Sequence, residues 1–125
     1  MSYRIGFLGP HSSSPKSVLN RLIDEYILKH KMFDVVGELS HHNFSTTLFK
    51  IAKEKGLQTI GFTAQMFGQF DQVDQPILVS VVEYNSSLIN FCDLLVFCRN
   101  SDFVDDRIEL AKQENKEIRE AYVLS

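Results

Sequence analysis

Several things are missing from this 125-residue chain, and each absence removes a class of function. There is no surplus of basic residues: 13 Lys and Arg stand against 16 Asp and Glu, for a formal net charge of -3. Proteins that live on nucleic acid usually show such a surplus, because phosphates are neutralised by Lys and Arg, so nucleic acid is not the expected partner. No apolar run approaches the roughly 20 residues that cross a bilayer, and no membrane association is expected. The opening MSYRIGFLGP passes from a charge through a short apolar run straight into a turn, unlike a secretory signal, and the expected compartment is the reducing cytoplasm. Cysteine is scarce. Cys92 and Cys98 flank the run DLLVF, too far apart along a strand for a disulfide, and read as small core hydrophobes. Neither the GxxxxGK[ST] spacing of a P-loop nor a GxGxxG dinucleotide turn occurs, and no Ser-His-Asp or Cys-His arrangement follows from spacing.

What is present is a chain 44% hydrophobic and 23% charged, which suits one globular domain with a sizeable core. Tyr3 to Leu8 reads as a short apolar strand ending at Gly9-Pro10. From Pro15 to about Lys31, the residues Val18, Leu19, Leu22, Ile23, Tyr26 and Ile27 recur at three- and four-residue spacing, the stripe of an amphipathic helix. Phe33 to Val36 is a second strand. Phe44, Leu48, Phe49, Ile51 and Ala52 line a second helix, which Gly56 stops, and Leu57 to Phe62 is a third strand. Thr63 to Pro76 suits a surface loop carrying Met66, Phe67 and Phe70. Ile77 to Val82 is a continuous apolar run, which predicts a strand buried on both faces. Leu88, Ile89 and Phe91 lie on a short helix, followed by a strand Leu94 to Cys98, a helix over 104–115 and a strand over 118–124. This alternation predicts a single Rossmann-like three-layer α/β domain with a mostly parallel sheet of five to six strands and right-handed crossovers.

Folds of this kind bind ligands at the C-terminal ends of the strands. There the turn after the second strand offers Ser40, Asn43, Ser45, Thr46 and Thr47 where a helix presents unpaired N–H groups and the positive end of its dipole. The turn reads either as an anion site or as helix capping by small hydroxyls. The first turn, with Gly9, His11, Ser12, Ser13, Ser14 and Lys16, adjoins it. Glu83 and Asn85 follow the fourth strand as candidate ribose or base contacts, or as caps. Arg99, after the fifth strand, is the natural bidentate partner for a phosphate. His11, His41 and His42 fall on neighbouring turns, but zinc needs three or four convergent ligands; they are read as hydrogen-bonding or solvated, and no metal or resident cofactor is assigned. The mixed charges from Asp105 to Glu120 read as a solvated helix face.

Two segments carry a family resemblance. AKEKGLQTI, Ala52 to Ile60, matches the pattern AKExGxxTI that closes a helix in the SLOG superfamily of Rossmann-like proteins, and DLLVFCRNSDFVDDRIELAKQENKEI, Asp93 to Ile118, is similar to a second stretch of that family. The superfamily includes LOG-type phosphoribohydrolases, DNA-processing proteins and small nucleotide-ligand sensors. Counting from these matches places Leu39 and Ser40 on the family's paired glycines, Asn43 on a third glycine and Ser45 on an aspartate. Phe103 and Val104 fall on a GT pair, and Ala111 and Lys116 fit the tail. Arg107 falls where related nucleoside deoxyribosyltransferase-like proteins carry a catalytic glutamate, and an arginine cannot take that part. The PGGxGTxxE signature of the LOG enzymes is absent.

The resemblance implies a nucleotide or nucleotide-derived ligand, bound without a family catalytic site, in a protein that forms homo-oligomers. Two alternatives stand beside it. One is an enzyme acting at an N-glycosidic bond, with Glu83 or Glu38 as its carboxylate. The other is a non-catalytic protein-interaction module.

Overall fold

Among the described residues every strand pairing is parallel, and the strands run in the order β4-β3-β2-β1-β5-β6. The computed structural model describes residues 2–65, 70–100 and 105–122. Among them are β1 (Arg4–Leu8), α1 (Lys16–His30), β2 (Asp34–Glu38), α2 (Asn43–Glu54), β3 (Thr59–Thr63), a 3-10 turn (Phe70–Gln72), β4 (Gln75–Leu78), α3 (Tyr84–Phe91), β5 (Leu94–Arg99), α4 (Arg107–Gln113) and β6 (Glu117–Tyr122). The chain lays strands outward from β1 in one direction, then returns to add β5 and β6 on the other side. The result is the doubly wound α/β architecture expected from the alternation of elements.

The two-residue period of a strand explains the layers. Ile5 and Phe7 of β1, Val35 of β2, and Leu94, Val96 and Cys98 of β5 face one core, which α1 and α2 cover with Leu19, Leu22, Ile23, Leu48 and Phe49. Leu8, Val36, Ile60, Leu95 and Phe97 face the other, covered by Leu88 and Ile89 of α3 and Ile108 and Ala111 of α4. Central strands buried on both faces therefore read as unbroken apolar runs. The cysteines divide between the cores, Cys98 in the first and Cys92 in the second, and are unpaired. Burial pushes each thiol up to about 12, which leaves both unreactive near neutrality.

One strand differs from expectation. The run Ile77 to Val82 predicts a strand buried on both faces, yet β4 ends at Leu78 and lies at the sheet edge, with Leu78 53%, Val81 78% and Val82 93% exposed. An apolar run cannot distinguish a central strand from an edge strand that leads into an apolar turn. Helix α4 is also shorter than the stretch over 104–115, and Phe103 and Val104 lie outside the described residues, as do Met66 and Phe67.

Two glycines have a definite steric reason. Gly56 ends α2 with φ of 74°, the left-handed region that glycine enters without a Cβ penalty. Gly9, at the end of β1, lies so close to the buried Phe44 ring that a Cβ would come within 2.4 Å of it. This contact joins the β1 turn to the first turn of α2.

Candidate functional site

The β1 and β2 junctions meet at the C-terminal edge of the sheet. The Phe44 amide donates to the His11 carbonyl at 3.2 Å, and the Asn43 side-chain amide donates to the Ser12 carbonyl at 3.3 Å. At the α2 start, His42 is the capping position without a side-chain cap bond, while Ser40 Oγ accepts from the His42 amide at 2.9 Å. Gln72 of the 3-10 turn bridges the same corner: its Oε1 accepts from the Ser40 amide at 3.3 Å, and its Nε2 donates to Thr46 Oγ1 at 3.4 Å.

Above this corner opens a cleft of about 430 Å³. Its walls come from the ends of β1, β2 and β3 and from the start of α3: His11; Glu38 to His42; Thr63 to Gln65; and Val81, Tyr84 and Asn85. The rings of His11 and His42 stack at 4.2 Å between centroids and 8° between planes, and His41 extends the stack at 4.8 Å. All three are exposed at the rim. His42 is held below the ordinary histidine range by the partial loss of water and by the neighbouring His11 and His41, against the pull of Glu38.

Beneath the rim lies a charged network. Tyr84 donates its hydroxyl to Glu38 Oε2 at 2.9 Å and to the Phe62 carbonyl at 3.3 Å. Arg107 crosses from α4 to reach Glu38 at 3.1 Å through both terminal nitrogens, and it also donates to Asp105 from Nε at 2.9 Å and from Nη2 at 2.8 Å. Burial opposes the Asp105 charge, but the Arg107 hydrogen bonds and charge outweigh it and hold this carboxyl below the usual range. Burial, then the charge of Glu38, raises the Tyr84 phenol, which stays protonated and able to donate.

The predicted site residues thus separate. His11 and Ser40 line the cleft. Gly9 supports it from behind through Phe44. Ser12 lends its carbonyl to Asn43, and Asn43 and Thr46 line a separate groove between α1 and α2 with Ser14, Lys16, Thr47 and Lys50. Ser45 is buried on α2. Glu83 is exposed at the capping position of α3 without a side-chain cap bond, whereas Asn85 lines the cleft. Arg99 ends β5 outside the cleft lining, turned toward β6, where it is paired with Glu120 at 2.5 Å and set over the Tyr122 ring. The solvated-face reading of 105–120 fails at its start: Asp105 is buried, and Arg107 is turned inward onto Glu38. Tyr84 has no motif to mark it as a site residue, and Arg107, although it falls on a family catalytic position by count, is set aside there because an arginine cannot replace the glutamate. Only the position of Glu38 at the end of β2 is readable, because the last residue of a parallel strand faces the ligand edge.

Among the described residues, no group of three or more His, Cys, Asp or Glu side chains is placed to hold a metal ion, and no helix is long and apolar enough to cross a membrane.

No family model matches the chain, and no curated protein matches it by sequence. Solved structures do match its architecture. The Moco carrier protein from Chlamydomonas reinhardtii superposes with a TM-score of 0.74 at 20% identity, over 97% of this chain and 76% of that one. The molybdenum cofactor binding protein from the phototrophic bacterium Rippkaea orientalis superposes with a TM-score of 0.78 at 15% identity, over 98% and 77%. At these identities the likeness establishes the Rossmann-like fold.

Proposed function

We propose that this protein binds a nucleotide or nucleotide-derived small molecule in the cleft at the C-terminal ends of β1, β2 and β3, and does so without a family catalytic site. The observation that carries this reading is the convergence of three strand ends and the α3 start on one cleft of about 430 Å³, a volume suited to a small organic ligand. Its walls combine imidazole faces with the apolar surfaces of Leu39, Ala64 and Val81, and they offer hydroxyl or amide groups from Ser40, Thr63, Gln65 and Asn85. A planar heteroaromatic ring with a polar edge fits that composition. Two proteins of the same architecture are a carrier and a binder of the molybdenum cofactor, which supports a binding function for a domain of this shape. The SLOG resemblance supports membership of that superfamily and homo-oligomers.

Thermal-shift screening against nucleotides, nucleosides and ADP-ribose-derived ligands tests this directly. A ligand selective for the native state stabilises it by RT ln(1 + [L]/Kd), about 2.7 kcal/mol at a hundredfold excess over Kd. A raised melting temperature is expected for at least one nucleotide class. Silence across the whole panel would defeat the proposal.

A second reading rests on Glu38. Its carboxylate lines the cleft with both oxygens oriented by Tyr84 and Arg107, an arrangement compatible with attack at an anomeric carbon. Release of free base from a nucleoside monophosphate, lost in Glu38→Gln, would establish that enzyme; intact substrate after prolonged incubation would remove it.

A further inference from the structure

We infer that anion recognition in this cleft is proton-coupled: a phosphate-type group is held at the rim by a stack of three imidazoles that takes up a proton as the anion binds. This inference rests on the nucleotide-binding reading above and adds how the negative part of the ligand is recognised.

Three observations lead there. First, no Lys or Arg is among the described residues that line the cleft, so the fixed cation normally found opposite a phosphate is lacking. Arg107 lies beneath the rim, committed to Glu38 and Asp105. Second, the charges facing the rim from the other elements are Glu38 at the end of β2 and the Asp105–Arg107 pair at the start of α4. With both carboxylates ionised this group carries one net negative charge, and Tyr84 adds a neutral phenol. With neutral histidines the cleft therefore repels an anion. Third, among the described residues lining the cleft, the groups that can reverse this balance near physiological pH are His11, His41 and His42, and His42 stacks on each of the other two.

Stacking keeps the rings from all charging together. An imidazolium is favoured by the π face of a stacked neighbour, while charges on two stacked neighbours 4 to 5 Å apart oppose each other, so the stack keeps capacity to take up a proton when an anion arrives. An anion at the rim removes the penalty on that proton and raises the affinity of the stack for it. Linkage then requires that the anion bind more tightly as pH falls. The rings are exposed at the rim, and solvent screening limits the effect to on the order of fivefold.

The probe must keep its own charge. A phosphate monoester titrates near pH 6 and would confuse the result, whereas a cyclic nucleoside monophosphate, a phosphodiester, keeps one negative charge throughout. Isothermal calorimetry with a cyclic nucleoside monophosphate at pH 5.5 and 7.5, each in two buffers of different ionisation enthalpy, is expected to show affinity several-fold higher at pH 5.5. Net proton uptake on binding is expected at pH 7.5. The uncharged parent nucleoside is expected to bind equally at both pH values, and His42→Gln and His11→Gln are expected to flatten the dependence seen with the cyclic nucleotide. Equal affinity for the cyclic nucleotide at both pH values, with no proton uptake, would overturn the inference and leave nucleotide binding standing. Absence of binding by both probes at both pH values would overturn the nucleotide reading itself.

Discussion

The two ends of the sheet carry cavities of nearly equal size and a similar ornament, yet they differ in chemistry. At the N-terminal edge, a cavity of about 420 Å³ is lined by Ser2, Tyr3, His30, Met32, Phe33, Asp34 and Gln58, and Tyr3 stacks on His30 at 4.2 Å. At the C-terminal edge, a cleft of about 430 Å³ carries the His11–His42 stack at the same spacing. Volume and aromatic contact therefore do not single out a site. What separates the two is the charged network: Glu38, Tyr84, Asp105 and Arg107 join β2, α3 and α4 across 69 residues of sequence at the C-terminal end. The N-terminal end is also tied across the sequence, the Arg4 amide donating to Asp93 at 2.8 Å, but the described residues lining its cavity form no ion pair with one another, and burial raises both the Tyr3 phenol and the Asp34 carboxyl there.

Removing the network should have the largest effect. Arg107→Met leaves the Glu38 and Asp105 carboxylates under the cleft without their cation, and a loss of about 3–5 kcal/mol is expected by urea denaturation at pH 7. The pH dependence has a definite sign. Asp105 is depressed in the native state, so its stabilisation is present above its unfolded value near 4 and disappears as pH falls through its folded value. In Arg107→Met burial, the largest influence on that carboxyl, is opposed only by the more distant His11 and raises it, so the gap between wild type and variant should narrow as pH falls toward 3. A gap that widens in acid would contradict the assignment.

Gly9→Ala comes next, since its Cβ meets a buried ring that cannot move away. A cost of about 1–3 kcal/mol is expected, together with weaker nucleotide binding as the α2 start shifts. Gly56→Ala, at the N-terminal edge, meets no atom within 4 Å and suffers only from its φ of 74°. The expected cost is roughly 1–2 kcal/mol, with unchanged nucleotide affinity. The pair sharpens the comparison: two glycine substitutions of similar energetic size, one coupled to the cleft and one not. Equal effects on affinity would show that stability rather than position governs binding. The smallest effect is expected from Asp24→Asn, which breaks the exposed ion pair with Lys55 at 2.7 Å and should change stability by less than about 1 kcal/mol.

The fold was legible because its signals are local. The stripe of α1, the glycine stop of α2 and the apolar runs of β1, β3 and β5 all report burial within a few residues, and alternation of elements then restricts the topology. The β4 run misled because burial on both faces depends on position in the sheet, which is a property of strand order. The cleft was legible in part for the same reason. His11 and Ser40 follow strand ends, and topology brings such residues to one edge. The pairing of Glu38 with Arg107, and Arg99 with Glu120, could not be read, because a charge on a helix or strand gives no local sign of which distant charge it meets.

The most direct test of the central claim is a two-dimensional amide NMR titration of the wild-type protein with a cyclic nucleoside monophosphate at pH 5.5. Binding in the C-terminal cleft predicts saturable shifts centred on His11, Ser40, His42, Thr63, Gln65 and Asn85, with little change at Tyr3, His30 and Asp34. Shifts centred on Tyr3, His30 and Asp34, or no saturable shift at all, would contradict it.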